Sequence, residues 1–234
     1  ALFPSVVWLA YFLRKDVHPE PSQEILRVFF YGALISLPAM LIEIGISDAL
    51  IGTKHFFLQG FTLSFTATAL LILVLVAFTE ESLKYLVVKE KTLKNTEFDE
   101  PIDAMIYMIT AALGFAAMEN VLILLSLAPV FAVQDALYLT AARFVGATLL
   151  HALASGLIGY FLALSYFKAS RGKFLVFWGL VLATSLHTAY NFSIMTIEGN
   201  KKFIIPGIIL IILALTISLC FQKLKGILKT FKTA

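Results

Sequence analysis

The sequence predicts an all-α membrane protein, a polytopic bundle of about seven transmembrane helices. Of its 234 residues, 60% are hydrophobic and 14% are charged, and the mean hydropathy is +0.91. Soluble domains are about 45–50% apolar and about 25% charged, so this composition is typical of a chain surrounded mostly by lipid. The long apolar runs are predicted to be helices because a backbone in hydrocarbon must satisfy its own hydrogen bonds.

Seven apolar runs define the predicted helices. A hydrocarbon core of about 30 Å requires about 20 helical residues, and only the first run is clearly shorter than that. We expect this first run to be a truncated span or an interfacial helix, and we expect the natural N-terminus to be missing because the chain starts at Ala1 without Met. The runs cover residues 2–13, 25–46, 56–88, 102–129, 136–167, 174–197 and 203–222.

The cations of the connecting segments predict the orientation. Thirteen Lys and Arg residues lie in loops on one side of the membrane and three lie on the other. Cytoplasmic loops carry an excess of Lys and Arg, so we expect a cytoplasmic C-terminus and an N-terminus outside. The thirteen are Arg14, Lys15, Arg27, Lys89, Lys91, Lys94, Lys168, Arg171, Lys173, Lys223, Lys225, Lys229 and Lys232, and the three are Lys54, Lys201 and Lys202.

Charge and chain organisation narrow the function classes. The net charge of +3 is not gathered on one soluble face, so no nucleic-acid partner is expected. The single Cys220 excludes an internal disulfide framework. Without a linker or an internal repeat, residues 1–234 are predicted to be one integral-membrane domain, and the longest polar stretch, 89–100, is expected to be a solvated connector. The function is therefore expected within the membrane.

The third run contains Glu80, Glu81 and Lys84 inside apolar sequence. Inserting an ionisable group costs about 2.5–3.5 kcal/mol, so such groups indicate function and need partners. At i,i+3 and i,i+4 spacing Lys84 reaches both carboxylates but neutralises only one. The other must find another cation, bind a metal or hold a proton, and such a carboxylate can act as a general base. A structural ion-pair cluster is the alternative.

The fourth and fifth runs add three more ionisable groups. Glu119 lies near small residues that permit another helix to approach closely, so we expect it to face a partner helix. The fifth run supplies Arg143 and His151, and His151 lies in a stripe of mostly small residues that continues every four positions through Ser155 and Gly159. Such a stripe is typical of a tight helix contact around a buried site.

The sixth run contributes His187 and Asn191, one turn apart on the same face. A single histidine in a helix is more often a hydrogen-bonded core residue than a ligand, but two histidines, three glutamates and an arginine in four consecutive helices indicate a site. Glu43, near the outer end of the second run, is instead predicted to form a helix-end or interhelical hydrogen bond.

These groups supply the chemistry for water activation and acyl transfer, with or without a metal. Two histidines and a carboxylate match the ligands of catalytic zinc. His151 and His187 would then bind the metal with either Glu81 or Glu119. Without a metal, Glu80 or Glu81 would deprotonate water together with His151. Asn191 or His187 would then stabilise the oxyanion.

Other classes fit the sequence less well. The chain has no His-Glu-x-x-His motif, Leu153 stands where the rhomboid motif near Ser155-Gly156 has Gly, and no intramembrane Asp pair occurs. A transporter or channel could use the same buried groups as an ion or proton path, although the chain lacks the paired halves common in transporters. A scaffold that binds another membrane segment through small residues is a third hypothesis.

Together these motifs resemble the PrsW family of prokaryotic intramembrane proteases, in the same order along the chain. They are Glu80-Glu81-x-x-Lys84, Phe115-x-x-x-Glu119, Arg143 leading to His151-x-x-x-Ser155-Gly156, and His187-x-x-x-Asn191, with Trp8-Leu9-x-Tyr11-Phe12-x-Arg14-Lys15-Asp16, Pro19-Glu20-Pro21 and Glu100-Pro101-Ile102-Asp103-Ala104 in addition. The related CAAX prenyl endopeptidases share the double Glu and the final His-x-x-x-Asn. They carry His where this chain has Glu119, so a prenylated substrate is not expected.

The resemblance implies an endopeptidase in a prokaryotic inner membrane that cuts a membrane-anchored protein such as an anti-sigma factor. It implies catalytic roles for Glu80, Glu81, Glu119, His151, His187 and Asn191, with Lys84, Arg143 and Phe115 as supporting residues. The family is described both as metal-dependent and as glutamic-type, so a zinc ion bound by Glu119, His151 and His187 and a metal-free site both remain open.

The depth of the site is a further expectation. Glu80 lies toward the cytoplasmic end of its run, whereas Glu119 lies about 27 Å along a helix starting at Pro101. The two carboxylates meet if residues around 102–107 lie outside the hydrocarbon and the third helix is long and tilted. A broken fourth helix is the alternative.

Overall fold

The computed structural model describes residues 1–52, 65–93, 95–127, 132–167, 172–197 and 201–233. Within these ranges the chain is helical and contains no strand, so the predicted all-α class is confirmed. The loop cations Lys54, Lys94, Lys168 and Arg171 lie outside the described residues. The helices are α1 (Phe3–Leu13), α2 (Ser22–Gly52), α3 (Phe65–Lys91), α4 (Asp103–Leu127), α5 (Val133–Val145), α6 (Ala147–Phe167), α7 (Gly172–Thr196) and α8 (Lys201–Thr233).

Five helical stretches of the described chain are long and apolar enough to cross a membrane. The helix α3, which carries Glu80, Glu81 and Lys84, is not one of them, and α1 is a shorter apolar helix. The predicted multi-pass membrane bundle is therefore supported by length and composition. The five stretches are Ser22–Ile51, Asp103–Leu127, Val133–Phe167, Gly172–Thr196 and Phe203–Leu228.

Gly146 separates two helices that the sequence predicted as one. The prediction of a continuous helix over 136–167 is wrong, because Gly146 has φ −92° and ψ −99° and leaves helical geometry. A Cβ atom added at Gly146 would collide with the Tyr190 hydroxyl of α7. The chain therefore approaches α7 closely at a residue without a side chain, and the break lies between Arg143 at the end of α5 and His151 in α6.

The core of the bundle is α4, whose residues are buried continuously from Asp103 to Ala117. Two glycines bring α2 and α4 into backbone contact: a Cβ atom at Gly32 would collide with the Ala111 carbonyl, and one at Gly114 with the Phe29 carbonyl. The prediction that small residues of this run permit close helix approach is confirmed. Close contacts of this kind fix the position of α4 against its neighbour.

At its N-terminal end, α4 joins the segment between α1 and α2 through carboxylates. Carboxylate oxygens of Asp16, Glu20 and Asp103 lie within 4.8 Å of one another, and we call these three residues the loop carboxylate cluster. Asp103 Oδ2 accepts hydrogen bonds from two backbone amides, including that of Glu100 at 2.6 Å, and the Tyr107 hydroxyl donates to Glu20 Oε2 at 2.5 Å. Burial raises the pKa of both Asp16 and Glu20 above their ordinary values.

Candidate active site

Lys84 joins the two adjacent glutamates of α3, as the spacing predicted. Its ammonium donates to Glu81 Oε1 at 2.8 Å and to Glu80 Oε2 at 3.2 Å. Lys84 and Glu81 are fully buried, and Glu80 is 5% exposed. A buried charge is costly unless it is paired, so both carboxylates depend on the Lys84 ammonium, and the ammonium depends on them.

His151 of α6 extends this cluster to α4. Its Nδ1 atom lies 2.7 Å from Lys84 Nζ, and its Nε2 atom lies 2.8 Å from Glu119 Oε2. Because an ammonium group only donates, Nδ1 accepts and the ring proton is on Nε2, which donates to Glu119. His151 therefore connects the Lys84 ammonium with the carboxylate of α4.

His187 of α7 completes the cluster. Its Nδ1 atom lies 3.0 Å from Glu81 Oε1, and because an ionised carboxylate only accepts, Nδ1 carries the proton. In the neutral ring Nε2 is then unprotonated. The Nε2 atom lies 3.9 Å from Glu80 Oε2, which is also 3.6 Å from His151 Nδ1. The two imidazole rings are perpendicular, with centroids 5.0 Å apart. Two histidines and one carboxylate thus converge on the same small volume.

The environments of the paired glutamates differ. Glu81 accepts from Lys84, from His187 and, through Oε2, from the Ser155 hydroxyl at 2.6 Å. Glu80 has one ammonium contact and lines a cavity of about 240 Å³, whose wall also includes Glu119 and Glu43. Of the pair, only Glu80 therefore faces a space that could hold water or substrate.

Arg143 pairs with the carboxylate of α4. Its Nη2 atom lies 3.0 Å from Glu119 Oε1, and its Nε atom donates to Asn120 Oδ1. The Asn120 amide in turn donates to Thr148 Oγ1 at 3.1 Å. These contacts give the predicted role of Arg143, the compensation of excess carboxylates, a direct geometric basis.

The helix α4 is continuous through Glu119. The alternative prediction of a broken fourth helix is therefore wrong.

Of the two remaining predicted residues, Phe115 contacts the cluster and Asn191 does not. The Phe115 ring lies under the ammonium of Lys84, with 4.4 Å between Nζ and the ring centroid, which is a cation–π contact. Asn191 is half-buried one turn after His187, and its side chain makes no hydrogen bond within the part of the chain that the structure describes. Its amide is therefore a hydrogen-bond donor and acceptor without an internal partner there.

Sequence reasoning missed three polar contributors to this region. Glu43 was assigned to a helix-end or interhelical hydrogen bond, but it lines the cavity beside Glu80. Ser155 was recognised in the small-residue stripe and in the His151-x-x-x-Ser155-Gly156 motif but was given no role of its own, and Asn120 was given none either. Each carried a signal in the chain: Ser155 is one turn after His151, and Asn120 directly follows Glu119.

The donor set of the cluster fits a divalent metal ion. Among the described residues, ligand atoms of Glu80, Glu81, His151 and His187 lie within 4.8 Å of one another, and all four side chains are buried. Imidazole nitrogens with a carboxylate are the ligands of catalytic zinc sites. Glu119 is not in this group: it contacts the opposite ring nitrogen of His151, which is the usual place of a carboxylate that orients a ligand histidine.

Comparison with known proteins finds one family of relatives. The family model described as PrsW family intramembrane metalloprotease matches residues 20–219. The protease PrsW of Bacillus subtilis strain 168 is 30% identical over 210 residues, which cover 87% of this chain and 84% of that protein. The protease PrsW of Geobacillus kaustophilus is 30% identical over 196 residues, covering 83% and 78%. That of Oceanobacillus iheyensis is 28% identical over 208 residues, covering 89% and 87%.

No solved structure matches the chain. The match to the family model extends from the segment before α2 into α8. It includes the whole Glu–His cluster, by which we mean Glu80, Glu81, Lys84, Glu119, His151 and His187. The chain therefore belongs to the PrsW family of intramembrane metalloproteases.

Proposed function

We propose that this protein hydrolyses a peptide bond of a membrane-anchored protein, with Glu80 as the base that activates water. The observation that carries the proposal is the different exposure of the paired glutamates. Glu80 lines the cavity, whereas Glu81 is fully buried and accepts three hydrogen bonds. A general base must reach the proton that it removes, and only Glu80 has that access.

Glu81 then holds the site together. It receives donors from α3, α6 and α7, so its carboxylate fixes Lys84, Ser155 and His187 relative to one another. His187 keeps Nε2 unprotonated as a result. We infer that Glu81 positions the other groups and that Glu80 touches the reacting atoms.

The reaction needs a defined path for the proton and for the developing charge. Glu80 removes a proton from water, and the water oxygen bonds to the carbonyl carbon of the scissile peptide. The carbonyl oxygen gains negative charge, and the side-chain amide of Asn191 supplies a donor for it. The proton passes from Glu80 to the amide nitrogen and the C–N bond breaks. A carboxylic acid and an amine leave, and the acid gives its proton to the amine or to water.

A zinc ion fits the same residues. Glu80, His151 and His187 would hold it, while Glu119 orients His151 through the other ring nitrogen. With a metal bound, the Lys84 ammonium would have to leave His151 Nδ1, and Glu80 would be a ligand in place of the free base. When bound, a metal polarises the scissile carbonyl and lowers the pKa of water. The charges favour a cation here: three carboxylates, Glu80, Glu81 and Glu119, face only Lys84 and Arg143 as permanently charged partners.

The family and the loop cations support a proposal for the substrate and the location. We infer a prokaryotic inner membrane, a cytoplasmic C-terminus and an external N-terminus from the loop cations. The substrate class is a membrane-anchored protein, for which an anti-sigma factor is the specific candidate, and its cleavage would release a signal. Family membership favours this peptidase function over the transporter alternative.

The test compares Glu80→Gln with Glu81→Gln by quantitative proteomics of membrane fractions from cells that express each variant. We expect Glu80→Gln to abolish a specific membrane-protein fragment, a loss of at least about 100-fold, while the protein stays folded and inserted. We expect Glu81→Gln to lower both cleavage and thermal stability, because it changes a buried acceptor of three donors. Glu24→Gln, in a surface pair with Arg27, is the control. Unchanged fragments in Glu80→Gln would refute the role of Glu80.

Metal dependence has its own measurement. Elemental analysis of active, detergent-purified protein is expected to find about one equivalent of a divalent metal. Alanine at both His151 and His187 should remove it. Full activity in protein that holds no metal after chelation would exclude this part of the proposal.

A further inference from the structure

A second group of polar side chains lies next to the Glu–His cluster on the same face of α7. Thr184, His187, Thr188 and Asn191 follow the i, i+3, i+4, i+7 spacing of one helix face. The two threonines are 7% and 4% exposed, and neither hydroxyl has a hydrogen-bond partner among the described residues. A buried polar group without a partner costs free energy, so these two hydroxyls require an explanation.

The hydroxyls of Thr184 and Thr188 do not form the hydrogen bond that is usual for a threonine inside a helix. A threonine inside a helix commonly donates to the carbonyl oxygen four residues earlier. Thr196, on the same helix, does so to Phe192 at 2.7 Å, and Thr140 and Thr216 do so on α5 and α8. Thr184 and Thr188 do not, so the hydrogen-bonding capacity of both hydroxyls is unused within the described ranges.

The side chains of both threonines line a groove between α3 and α7, and their hydroxyl oxygens are buried beneath its surface. The groove has a volume of about 380 Å³ and is lined on the α3 side by Leu70 and Val74, and on the α7 side by Thr184, Thr188 and the small Ser185 and Ala189. We call it the hydroxyl groove. Ser185 and Ala189 are exposed, so the groove is open on the membrane-facing side of the bundle.

The hydroxyl groove lies close to the Glu–His cluster along both of its helices. Thr188 directly follows His187 along α7, and Val74 precedes Glu81 by seven residues, about 10 Å along α3. A stretch of about three extended residues spans that distance. A chain lying in the groove would therefore bring its next peptide bonds to the level of Glu81 and His187 on these two helices.

The spacing of the two hydroxyls suits an extended backbone. Residues four apart on a helix are separated by about 6 Å along its axis. An extended chain presents equivalent backbone groups on one side about every 6.6 Å. Two hydroxyls at this separation can bond alternate peptide groups of one extended segment.

A protease that cuts within a membrane needs groups that can form hydrogen bonds with the backbone of its substrate. A peptide bond inside a transmembrane helix has its polar groups bonded within the helix, and exposing them in hydrocarbon costs several kcal/mol per group. The enzyme must replace the lost hydrogen bonds when the segment unwinds. We propose that the hydroxyl groove binds the unwound backbone of the substrate beside the scissile bond, through the hydroxyls of Thr184 and Thr188.

The proposal rests on the proposed function for its biological purpose, but its binding step is tested separately from cleavage. The host is the Glu80→Gln protein with the photo-reactive residue benzoylphenylalanine at Ala189. The probes are two synthetic Leu/Ala-rich transmembrane peptides, one with a central Gly-Gly pair that unwinds easily and one without it. We expect several-fold more photo-crosslink to the Gly-Gly peptide.

The hydroxyls are then removed with little change of shape. In the same host, valine at both Thr184 and Thr188 should abolish the preference for the Gly-Gly peptide, serine at both should retain it, and Thr196→Val is the matched control on α7. Equal crosslinking of the two peptides, or a preference that survives the double valine change, would overturn the proposal. These outcomes do not depend on any cleavage.

Cleavage kinetics and thermal stability give a second readout, separate from crosslinking. In the otherwise wild-type protein, we expect the double valine change to raise KM for the cleaved membrane protein roughly tenfold with little effect on kcat. The melting temperature should stay equal or rise, because two unpartnered buried hydroxyls are removed. Parallel losses of activity and stability would mark a merely structural role and refute the binding role. If Glu80→Gln leaves all fragments unchanged, the proposed function fails while the crosslinking result still decides the groove.

Discussion

The two ends of α4 hold carboxylates in different ways. At the N-terminal end, Asp103 meets Asp16 and Glu20, and no Lys or Arg forms an ion pair with these three in the described ranges. Toward the other end, Glu119 meets His151 and Arg143, and Lys84 pairs with two more glutamates. The loop carboxylate cluster depends on backbone amides and a tyrosine hydroxyl, whereas the Glu–His cluster depends on cations.

This difference shows how a buried carboxylate becomes useful for chemistry. Without a cation, burial favours the protonated form, and the raised pKa values of Asp16 and Glu20 reflect that. With Lys84 and Arg143 nearby, carboxylates can stay ionised inside the bundle and accept protons from water. The loop cluster is suited to joining two segments, and the Glu–His cluster is suited to proton transfer.

Removing the Lys84 cation is expected to have the largest effect on stability and activity. Lys84→Met leaves Glu80 and Glu81 buried without an ammonium, so we expect a loss of about 3–5 kcal/mol of stability together with activity. Thermal unfolding in detergent measures it. Adding Glu81→Gln should restore part of the stability, because one uncompensated charge is then gone. A Lys84→Met protein that melts like the wild type would contradict the role given to this ion pair.

A smaller effect is expected at Arg143. Its pair with Glu119 is partly exposed, with side-chain exposures of 17% and 30%, so Arg143→Met should change stability by no more than about 1 kcal/mol. Cleavage should fall about 10- to 100-fold, because Glu119 loses the partner that holds it against His151. Arg27→Met, in an exposed pair with Glu24, is the control and should cleave normally. Equal rates for the two variants would show that Glu119 needs no second partner.

The smallest effect concerns the loop cluster and pH. Burial raises the pKa of Glu20 from 4.5, so its ionisation costs stability in the folded state. The folding stability is therefore highest when Glu20 is protonated. It falls as the pH rises from 4.5, the ordinary pKa, to the raised pKa of Glu20 in the folded protein. We expect the melting temperature of Glu20→Gln to fall less over this window, with cleavage unchanged within twofold. Identical pH profiles for wild type and variant would contradict the assigned shift.

Much of the site could be predicted because its information is local. The spacing of Glu80, Glu81 and Lys84 places them on a common helix face. The spacing of His187 and Asn191 likewise places these two on one face of their helix. The assignment of the two glutamates to different tasks could not be predicted, because it depends on Ser155 and His187, which lie 74 and 106 residues beyond Glu81. The break at Gly146 was missed for a similar reason, since the collision that requires glycine involves Tyr190 of another helix.

The sequence distance between Glu81 and His187 also has a consequence for biosynthesis. The polar partners that α3 has on α6 and α7 are synthesised after it, and His187 follows Glu81 by 106 residues. At about 5–20 residues per second, this corresponds to a delay of about 5–20 s. During that interval the ribosome-bound chain carries a charged α3 with an incomplete set of partners. The insertion machinery must therefore shelter α3 until α6 and α7 emerge, and slower translation would prolong the period in which the nascent protein is vulnerable to degradation.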